Sequence, residues 1–353
     1  LYNLRNGIDD IRSGRARVVL VGSAEAPITP EVMEGYASMG ALATDKGLRQ
    51  LDELDSDQQP DYRRACRPFS NNCGFTIAES SQMLVLFDDA LAMELGANMY
   101  GTAADVFVNA DGFKKSISGP GVGNYITMAK ALATVRAMCG SEKLCSGGFV
   151  QAHGTGTPQN RITESEILSR VAGHFGISHW PVAALKSYMG HSLSAASGDQ
   201  VNCTLGVWNY GILPGIKTID HVAADVMTEN LAFSMEHHEL DLRSQYYSII
   251  NSKGFGGNNA SAALLSPLAT RAMLQKRYGK KDWLHWERNN ELVRERISNW
   301  DEKTIAGEEN VIYKFDHEVM SDKDVELLND KINMSGKTIS IDIEPPYPDL
   351  VID

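Results

Sequence analysis

The chain has 353 residues, of which 43% are hydrophobic and 22% are charged, as is ordinary for a globular protein with a large core. A net charge of −12 argues against nucleic-acid binding, because non-specific binding needs a basic surface. The apolar runs are too short to span a bilayer, and the first residues show no signal-peptide pattern. We therefore expect a cytoplasmic protein with no membrane partner.

The first half of the sequence predicts helices and strands in alternation. Leu4, Ile8 and Ile11 fall at helical spacing and predict a helix over 3–13. No capping residue precedes this helix, so we expect the chain to begin inside an element. The short, mostly apolar segment 17–22 predicts a strand buried on both faces. The segments that follow are a helix or a loop facing the active site at 32–43, a polar surface excursion at 44–66, and strands at 83–87 and 107–109.

The alternation continues in the second half. An amphipathic helix is predicted over 124–138, and one of its faces carries Tyr125, Met128, Leu132 and Val135. Strands are expected at 148–152, 182–185, 246–251 and 260–265, the last two as a hairpin, with helices at 162–172 and 195–210. Strands alternating with helices indicate an α/β layered fold. Beyond about residue 267, many Lys, Arg, Glu, Trp and Leu residues predict one or two amphipathic helices, followed by a polar, acidic segment.

Three short motifs follow predicted strands. His153 opens a His-Gly-Thr-Gly-Thr turn, Lys186 and His191 frame a second turn, and Gly-Phe-Gly-Gly occupies residues 254–257. Taken alone, each histidine would more often be a core residue bonded to a main-chain carbonyl, and the glycine-rich turn would more often be an ordinary hairpin. All three at strand ends, in this order, favour a catalytic site.

Each motif offers a property that acyl chemistry needs. Small residues after His153 let a substrate approach the backbone closely. The turn at His191 leads into a helix of small residues, and the positive end of that helix should keep the imidazole neutral and able to donate a hydrogen bond to a carbonyl. The backbone N–H groups of residues 254–257 can face an oxyanion.

Together the motifs resemble the second half of a β-ketoacyl synthase, a thiolase-like condensing enzyme with a Cys–His–His triad. The resemblance implies that His153 and His191 are the two histidines of the triad. It also implies a partly buried ion pair between Lys186, in the second turn, and Glu164, eleven residues after the first histidine.

The resemblance also assigns residues that contact the substrate. Phe255, between Gly254 and Gly256, is implied to act as a gate over the acyl pocket and to contribute its backbone N–H to the oxyanion hole. Thr155 and Thr157 are the expected substrate-binding residues of the first turn.

Most of the sequence, from about residue 3 to 266, shares this resemblance. It implies a thiolase-like αβαβα layered fold, largely its second half plus part of the first, with a C-terminal extension. We expect residues 1–138 to form the remainder of the N-terminal half, 139–267 the C-terminal half, and 268–353 the extension. Such an extension is similar to that of the long bacterial synthases that start fatty acid chains. A stabilising wrap is its simplest role; covering a dimer edge or guiding a carrier protein are alternatives.

Three positions depart from the family pattern. Arg161 stands where the family has an aspartate, and Cys73 replaces the usual acidic residue before Gly74. Lys253 stands where simple chain-elongating members often have an aromatic residue. These departures bear on the shape of the acyl pocket and on local ion pairs, and they leave the two histidines in place.

No cysteine of the chain fits the nucleophile. In the family, that cysteine stands at the start of the helix before the strand that resembles 18–25, where the helix dipole favours a thiolate. We therefore expect the catalytic cysteine a few residues before Leu1. The cysteines show no CxxC pair or matching histidine spacing, which argues against a zinc site or a disulfide framework. They are Cys66, Cys73, Cys139, Cys145 and Cys203.

The resemblance implies a decarboxylative Claisen condensation of malonyl-[acyl-carrier-protein] with an acyl thioester, acetyl being one candidate, in fatty acid synthesis. It implies acyl carrier protein as the partner, a homodimer, and no metal or redox cofactor. One alternative is a non-catalytic subunit like a chain-length factor, although retention of His153, His191 and Lys186 argues against it. The other is a thiolase-type enzyme using free CoA thioesters, which the context of the two histidine turns disfavours.

Overall fold

Residues 1–112, 121–308, 314–317 and 319–352 are described by the structure, a computed structural model. The chain divides into two units, Leu1–Arg294 and Glu295–Asp353. The helices are α1 (Tyr2–Arg12), α2 (Pro30–Ser38), α3 (Asp45–Leu51), α4 (Asp89–Glu94), α5 (Val122–Cys139), α6 (Ser141–Ser146), α7 (Pro158–His174), α8 (Lys186–Met189), α9 (Ala196–Tyr210) and α10 (Pro267–Ile305). Among the described residues, no helix combines the length and the apolar character needed to cross a bilayer.

The strands form separate sheets rather than one. They are β1 (Val18–Glu25), β2 (Ser80–Phe87), β3 (Thr102–Ala110), β4 (Gly148–Gln151), β5 (Trp180–Ala183), β6 (Ile212–Leu213), β7 (Leu231–Phe233), β8 (His238–Glu239), β9 (Tyr247–Gly254), β10 (Asn258–Leu265), β11 (Val325–Leu327), β12 (Lys331–Met334) and β13 (Lys337–Ser340). The largest sheet has the order β3-β10-β9-β4-β5-β7. In it β4, β5, β7 and β9 run parallel, and β10 is antiparallel to both of its neighbours.

The six-stranded sheet is packed on both faces. Ile249 of β9 contributes to a core cluster with residues of α5 and α7, and the next residue, Ile250, contributes to a cluster with residues of α1 and α9. Successive side chains of a strand point to opposite faces, so the two pairs of helices cover the two faces of the sheet. The second cluster also includes Val21 of β1 and Leu84 of β2. The first unit therefore stacks helices, sheet, helices and the β1–β2 sheet, as the α/β layered class predicts.

The prediction that the strand near residue 18 is buried on both faces is wrong. β1 pairs antiparallel with β2 in a two-stranded sheet, and only one face of that sheet packs on α1 and α9. On its other face, Leu20 is 66% exposed and Met83 is 57% exposed. An apolar run of this length does not reveal how many of its faces are covered.

The prediction of a surface excursion over 44–66 is wrong in part. Residues at both ends of this segment are buried: Leu48 of α3 is 1% exposed and Cys66 is 4% exposed. Just beyond it, the buried guanidinium of Arg67 donates two hydrogen bonds of 2.6 Å to Asp52, and this contact lowers the pKa of that carboxyl. The polar residues of the segment therefore include an internal ion pair rather than solvated charges alone.

Most other predicted elements are confirmed within a few residues. The predicted hairpin is the antiparallel pair β9–β10, with Lys253 opposite Asn259. The predicted amphipathic helices after residue 267 form α10, in which Gly279 has φ of +76° and interrupts the helical geometry. In the second unit, β11, β12 and β13 form an antiparallel sheet. The predicted domain boundaries at 138 and 267 stay predictions.

Candidate active site

The main chain of His153, just beyond β4, is held by two charged side chains. Its N–H donates to Oε1 of Glu164 at 2.7 Å, and its carbonyl accepts a hydrogen bond from Nζ of Lys186 at 2.6 Å. The following N–H, that of Gly154, donates to Oε2 of Glu164 at 2.8 Å. The turn is therefore fixed through its backbone, and the imidazole ring is not needed to hold it.

Glu164 is fully buried on α7 and accepts hydrogen bonds from four N–H donors. Besides the two main-chain groups of the turn, Nδ2 of Asn160 donates at 2.9 Å and Nδ2 of Asn251 donates at 2.7 Å. These four bonds replace water at both carboxylate oxygens, which offsets the cost of burying a charged group. Glu164 thus joins α7, β9 and the turn after β4.

The direct ion pair predicted between Lys186 and Glu164 is not formed. Among the described residues, no nitrogen–oxygen distance within 4 Å joins the two groups, and each binds the main chain of His153 instead. Burial lowers the pKa of Lys186 to about 8, although the charge of Glu164 acts in the opposite direction. The peptide group between His153 and Gly154 is therefore held from two sides, its carbonyl by Lys186 and its N–H by Glu164, and the two charges do not bind each other.

His191, two residues after α8, is fixed through both its backbone and its ring. Its N–H donates to the carbonyl of Thr76 at 2.7 Å, and the N–H of Leu193 donates to its Nδ1 at 3.1 Å. An Nδ1 that accepts a hydrogen bond carries no proton, so the neutral ring carries its proton on Nε2. The ring is thereby set to donate a hydrogen bond from Nε2.

The structure brings the two predicted histidines together. Their ring centroids lie 5.4 Å apart with an angle of 81° between the ring planes. Burial, and next the positive charge of Lys186, lower the pKa of both rings well below the usual value. The sequence suggests the end of a helix as the cause at His191; a 3-10 helix over Leu193–Ala195 does lead directly into α9, but burial and the charge of Lys186 are the causes of this shift. Both rings are therefore neutral at physiological pH because they are buried beside a cation.

These depressed pKa values predict how stability depends on pH. The unfolded chain binds a proton at each ring near pH 6.5, whereas the folded chain does not, so unfolding takes up protons below that pH. The free energy of unfolding should be insensitive to both rings above about pH 7 and should fall below about pH 6.5, by up to about 1.4 kcal/mol per pH unit for each ring. Urea unfolding of the wild type and of His191→Gln between about pH 5.5 and 8 measures how the free energy of unfolding changes with pH. The variant should show a smaller change below about pH 6.5, because it lacks one of the two rings. An unchanged slope in a variant lacking both rings would contradict the prediction.

The glycine-rich turn follows β9. Phe255 is 38% exposed, and its carbonyl accepts a hydrogen bond from Nδ2 of Asn258 at 3.0 Å. Gly256 has φ of +79°, in the left-handed region that disfavours any residue with a Cβ. Gly254 has an extended backbone with φ of −122°. For backbone reasons, glycine is thus needed at position 256 and not at position 254.

Alanine substitutions separate these two glycines. Gly256→Ala should destabilise the protein by about 1–2 kcal/mol, because alanine is strained at this φ although its Cβ would meet only Nδ2 of Asn258, at an ordinary 3.7 Å. Gly254→Ala is the matched control: its Cβ would meet Asn258 at an ordinary 3.6 Å, and we expect little change. Chemical denaturation measures both variants. Equal stability of the two would show that the turn relaxes to accept a side chain.

One cavity of about 470 Å³ receives the predicted groups. His153, His191, Thr155 and Thr157 line it, and the two threonine hydroxyls lie 3.1 Å apart. The rest of its wall is formed by Glu25, Tyr36, Met39, Gly40, Ala41, Phe75, Gln159, Leu193, Ser194, Lys253, Gly254 and Phe255. Lys186 and Glu164 do not line this cavity, so they support the site from behind.

Sequence reasoning expected segment 32–43 to be a helix or a loop facing the site, and it missed the individual residues there. Tyr36 lies with its ring 5.9 Å from that of Phe255 and 5.7 Å from that of Phe75. Burial, and next the charge of Glu25, raise the pKa of the Tyr36 hydroxyl. Met39 lines the same wall. The apolar character of the segment was the available signal, but it does not show which side chains reach a histidine far along the chain.

No residue in the wall of this cavity is a cysteine. The most buried thiol, Cys66, has its pKa raised to about 11, mainly by burial, so it stays protonated and is a poor nucleophile. The expected catalytic cysteine before Leu1 stays a prediction. Within the described ranges, no group of three or more His, Cys, Asp and Glu side chains is placed to hold a metal ion.

Arg161, one of the departures from the family pattern, has a structural role. Its guanidinium donates two hydrogen bonds to Asp225, at 2.8 and 2.7 Å, and one to the carbonyl of Ser70 at 3.2 Å. These bonds connect α7 with two loops, and the contact with Arg161 lowers the pKa of the Asp225 carboxyl. The substitution therefore changes a local ion pair and leaves the histidines unaffected.

The geometry agrees with comparisons to known proteins. The N-terminal domain of beta-ketoacyl synthases matches residues 1–92, and the C-terminal domain of beta-ketoacyl synthases matches residues 100–219. The chain therefore belongs to the β-ketoacyl synthase family, and its fold is the thiolase-like fold of that family.

Individual relatives agree with this assignment. The chain is similar to the beta-ketoacyl-[acyl-carrier-protein] synthase FabY of Pseudomonas aeruginosa, with 51% identity over 336 residues, which is 95% of this chain and 52% of that protein. The crystal structure of the ketosynthase FabY from P. aeruginosa matches with a TM-score of 0.90 and 48% identity, over 99% of this chain and 55% of that chain. The 3-oxoacyl-[acyl-carrier-protein] synthase 2 of Vibrio harveyi is 27% identical over 263 residues, which is 74% of this chain and 58% of that protein. The chain thus spans about half the length of the curated relatives it matches.

Proposed function

We propose that the chain carries the two-histidine part of a β-ketoacyl-[acyl-carrier-protein] synthase of fatty acid synthesis. The observation that supports this most directly is the pair of buried, neutral imidazoles in the wall of one cavity, with centroids 5.4 Å apart. His191 carries its proton on Nε2, and Nδ1 of His153 is buried with no hydrogen-bond partner among the described residues. Two neutral rings that donate hydrogen bonds to the same oxygen can stabilise a thioester carbonyl as it becomes an enolate.

The reaction begins with decarboxylation. A malonyl thioester binds with its carbonyl oxygen toward His153 and His191. The bond between its α-carbon and its carboxylate breaks, carbon dioxide leaves, and the electron pair of that bond moves into an enolate. Hydrogen bonds from the two rings strengthen as negative charge develops on the oxygen, so they stabilise the transition state more than the bound substrate.

Carbon–carbon bond formation follows. The α-carbon of the enolate attacks the carbonyl carbon of an acyl group held as a thioester on the catalytic cysteine. The tetrahedral oxyanion that forms is bound by the N–H of Phe255 and by that of the cysteine, and it collapses with departure of the cysteine thiolate. The product is a β-ketoacyl thioester of the carrier, and the enzyme is regenerated.

Other residues position these groups. Lys186 and Glu164 hold the turn of His153, and neither lines the cavity. Phe255, between Gly254 and Gly256, serves as the gate, and its partial exposure at the cavity wall supports that role. Thr155 and Thr157 line the cavity with their hydroxyls 3.1 Å apart, and we assign them to binding of the carrier's thioester arm.

The proposed reaction would make the protein an acyltransferase, and it requires a carrier for the malonyl unit. We propose acyl carrier protein as the carrier of the malonyl unit, supported by the names of the two curated relatives. A cytoplasmic homodimer follows the family expectation, and sedimentation would test the oligomer. The intact mass and N-terminal sequence of the purified protein would test the expected cysteine before Leu1.

A product assay separates the remaining alternatives. The protein is incubated with malonyl-[acyl-carrier-protein] or malonyl-CoA and an acetyl or longer acyl thioester, and products are identified by mass spectrometry. A β-ketoacyl product from the carrier-bound substrate supports the proposal. Equal use of malonyl-CoA would favour a CoA enzyme. Absence of product with either substrate, in a protein whose cysteine is present, would favour the non-catalytic subunit.

A further inference from the structure

Lys253 is a departure from the family pattern that the proposed reaction does not explain. It lies near the end of β9 and is only 8% exposed. Its Nζ donates a hydrogen bond to Oγ1 of Thr163 at 3.3 Å. Thr163 is the residue before Glu164, and Lys253 is two residues after Asn251, the strand residue that binds Glu164. Lys253 therefore belongs to the same layer of side chains that supports the turn of His153.

Lys253 also borders the space where the substrate would react. It lines the cavity of about 470 Å³ together with His153, His191 and Phe255. It lines in addition a neighbouring cavity of about 350 Å³. The charge of Lys253 acts on the first histidine, since it is among the causes that lower the pKa of His153. Lys253 is therefore shared by the walls of the two cavities.

Lys253 places a positive charge beside this wall, and that charge favours an anionic ligand. Of the two nearby carboxylates, Glu25 lines the cavity and accepts a hydrogen bond from Ser194, whereas Glu164 lies behind the wall with its oxygens bound to four N–H donors. An ammonium group in a site that excludes water binds a carboxylate with a charge-assisted hydrogen bond, which is stronger than a neutral one. Of the two substrates of the proposed reaction, only the one that is decarboxylated carries a free carboxylate.

We propose that Lys253 recognises the carboxylate of the malonyl-type thioester and so distinguishes this substrate from the uncharged acyl primer. This inference rests on the proposed function and adds a specificity-determining residue to it. The carboxylate is bound at Lys253 while the thioester carbonyl faces the two histidines.

The chemistry limits what this contact can do. The carboxylate leaves as neutral carbon dioxide, so its attraction to the ammonium is strongest before the bond breaks and weakens afterwards. Lys253 therefore stabilises the bound substrate more than the transition state, so its loss should raise KM without lowering kcat. An aromatic residue at this position, as in simple chain-elongating members, would not provide the same discrimination.

A binding experiment tests the proposal without requiring turnover. Two stable analogues of malonyl-pantetheine are used, in which an amide replaces the thioester. One keeps the free carboxylate, and the other has a neutral carboxamide in its place. Isothermal titration calorimetry gives the Kd of both for the wild type and for Lys253→Met, Lys253→Gln and Lys253→Arg. Lys130→Met is the control for loss of one positive charge, because Lys130 is exposed on α5.

The expected result is a preference of the wild type for the carboxylate analogue of about tenfold or more. The two neutral variants should lose that preference and bind the carboxamide as the wild type does, whereas Lys253→Arg and Lys130→Met should retain it. Carboxamide binding thus reports whether a variant keeps an intact site. The proposal is overturned if the wild type binds both analogues equally or if the neutral variants keep the preference. It is also overturned if both neutral variants lose affinity for the two analogues by the same factor. Failure of the wild type to bind either analogue would instead count against the proposed function itself.

Discussion

Replacing His191 with alanine should lower decarboxylation of the malonyl thioester by about a hundredfold to a thousandfold, the usual cost of removing one donor to a developing oxyanion. The ring is neutral because it is buried, and the hydrogen bond from the N–H of Leu193 to Nδ1 leaves the proton on Nε2. Alanine removes that donor. Release of carbon dioxide from malonyl-[acyl-carrier-protein] measures the effect independently of condensation.

Matched variants show whether the donor or the fold is responsible. His191→Gln can place a neutral N–H near the position of Nε2 and should recover part of the activity. His221→Ala is the control, because its side chain is 53% exposed and contacts Asp220 rather than the cavity. Full decarboxylation by the alanine variant would remove His191 from the mechanism.

The largest expected effect on stability comes from Glu164→Ala. The substitution leaves four N–H donors without their acceptor, two of them on the backbone of the His153 turn, and removes the charge that opposes Lys186. Breaking such a buried charged network costs about 3–5 kcal/mol of the free energy of unfolding. Urea denaturation at neutral pH measures the change. The same variant should lose catalytic activity because the turn is no longer fixed.

Glu166→Ala is the control for this prediction. Glu166 lies on the same helix, forms an exposed pair with Arg170 at 3.1 Å, and should contribute well under about 1 kcal/mol. If the two alanine variants were equally stable, the four hydrogen bonds of Glu164 would have no net role in folding.

The sequence revealed the parts of the site that depend on local geometry. His153, His191 and the turn at 254–257 each follow a strand, and glycine and other small residues mark such turns, so their positions could be predicted. The buried face of α5 followed from helical spacing in the same way, with Met128, Leu132 and Val135 all inaccessible to solvent. The layered class could be predicted from the alternation of elements and from the family resemblance.

Other features depend on contacts between distant segments, and the sequence could not supply them. The strand order β3-β10-β9-β4-β5-β7 and the exposed face of β1 are set by which elements become neighbours. The wall residues Tyr36 and Met39 are more than a hundred residues from His153 along the chain, and no spacing rule connects them. The ion pair of Lys186 and Glu164 was expected from the family resemblance, but both groups bind the main chain at His153 instead.

The backbone and the side chain of His153 have separate roles. The backbone fixes the conformation of the turn, because its N–H and carbonyl are bound to Glu164 and Lys186, and the side chain is left to take part in the reaction. The ring could therefore be exchanged for another side chain of similar size without dismantling the frame that presents it. Substitution at position 153 can therefore change the chemistry while the turn keeps its conformation. Substitution at positions 164 or 186 removes the hydrogen bonds that fix the turn.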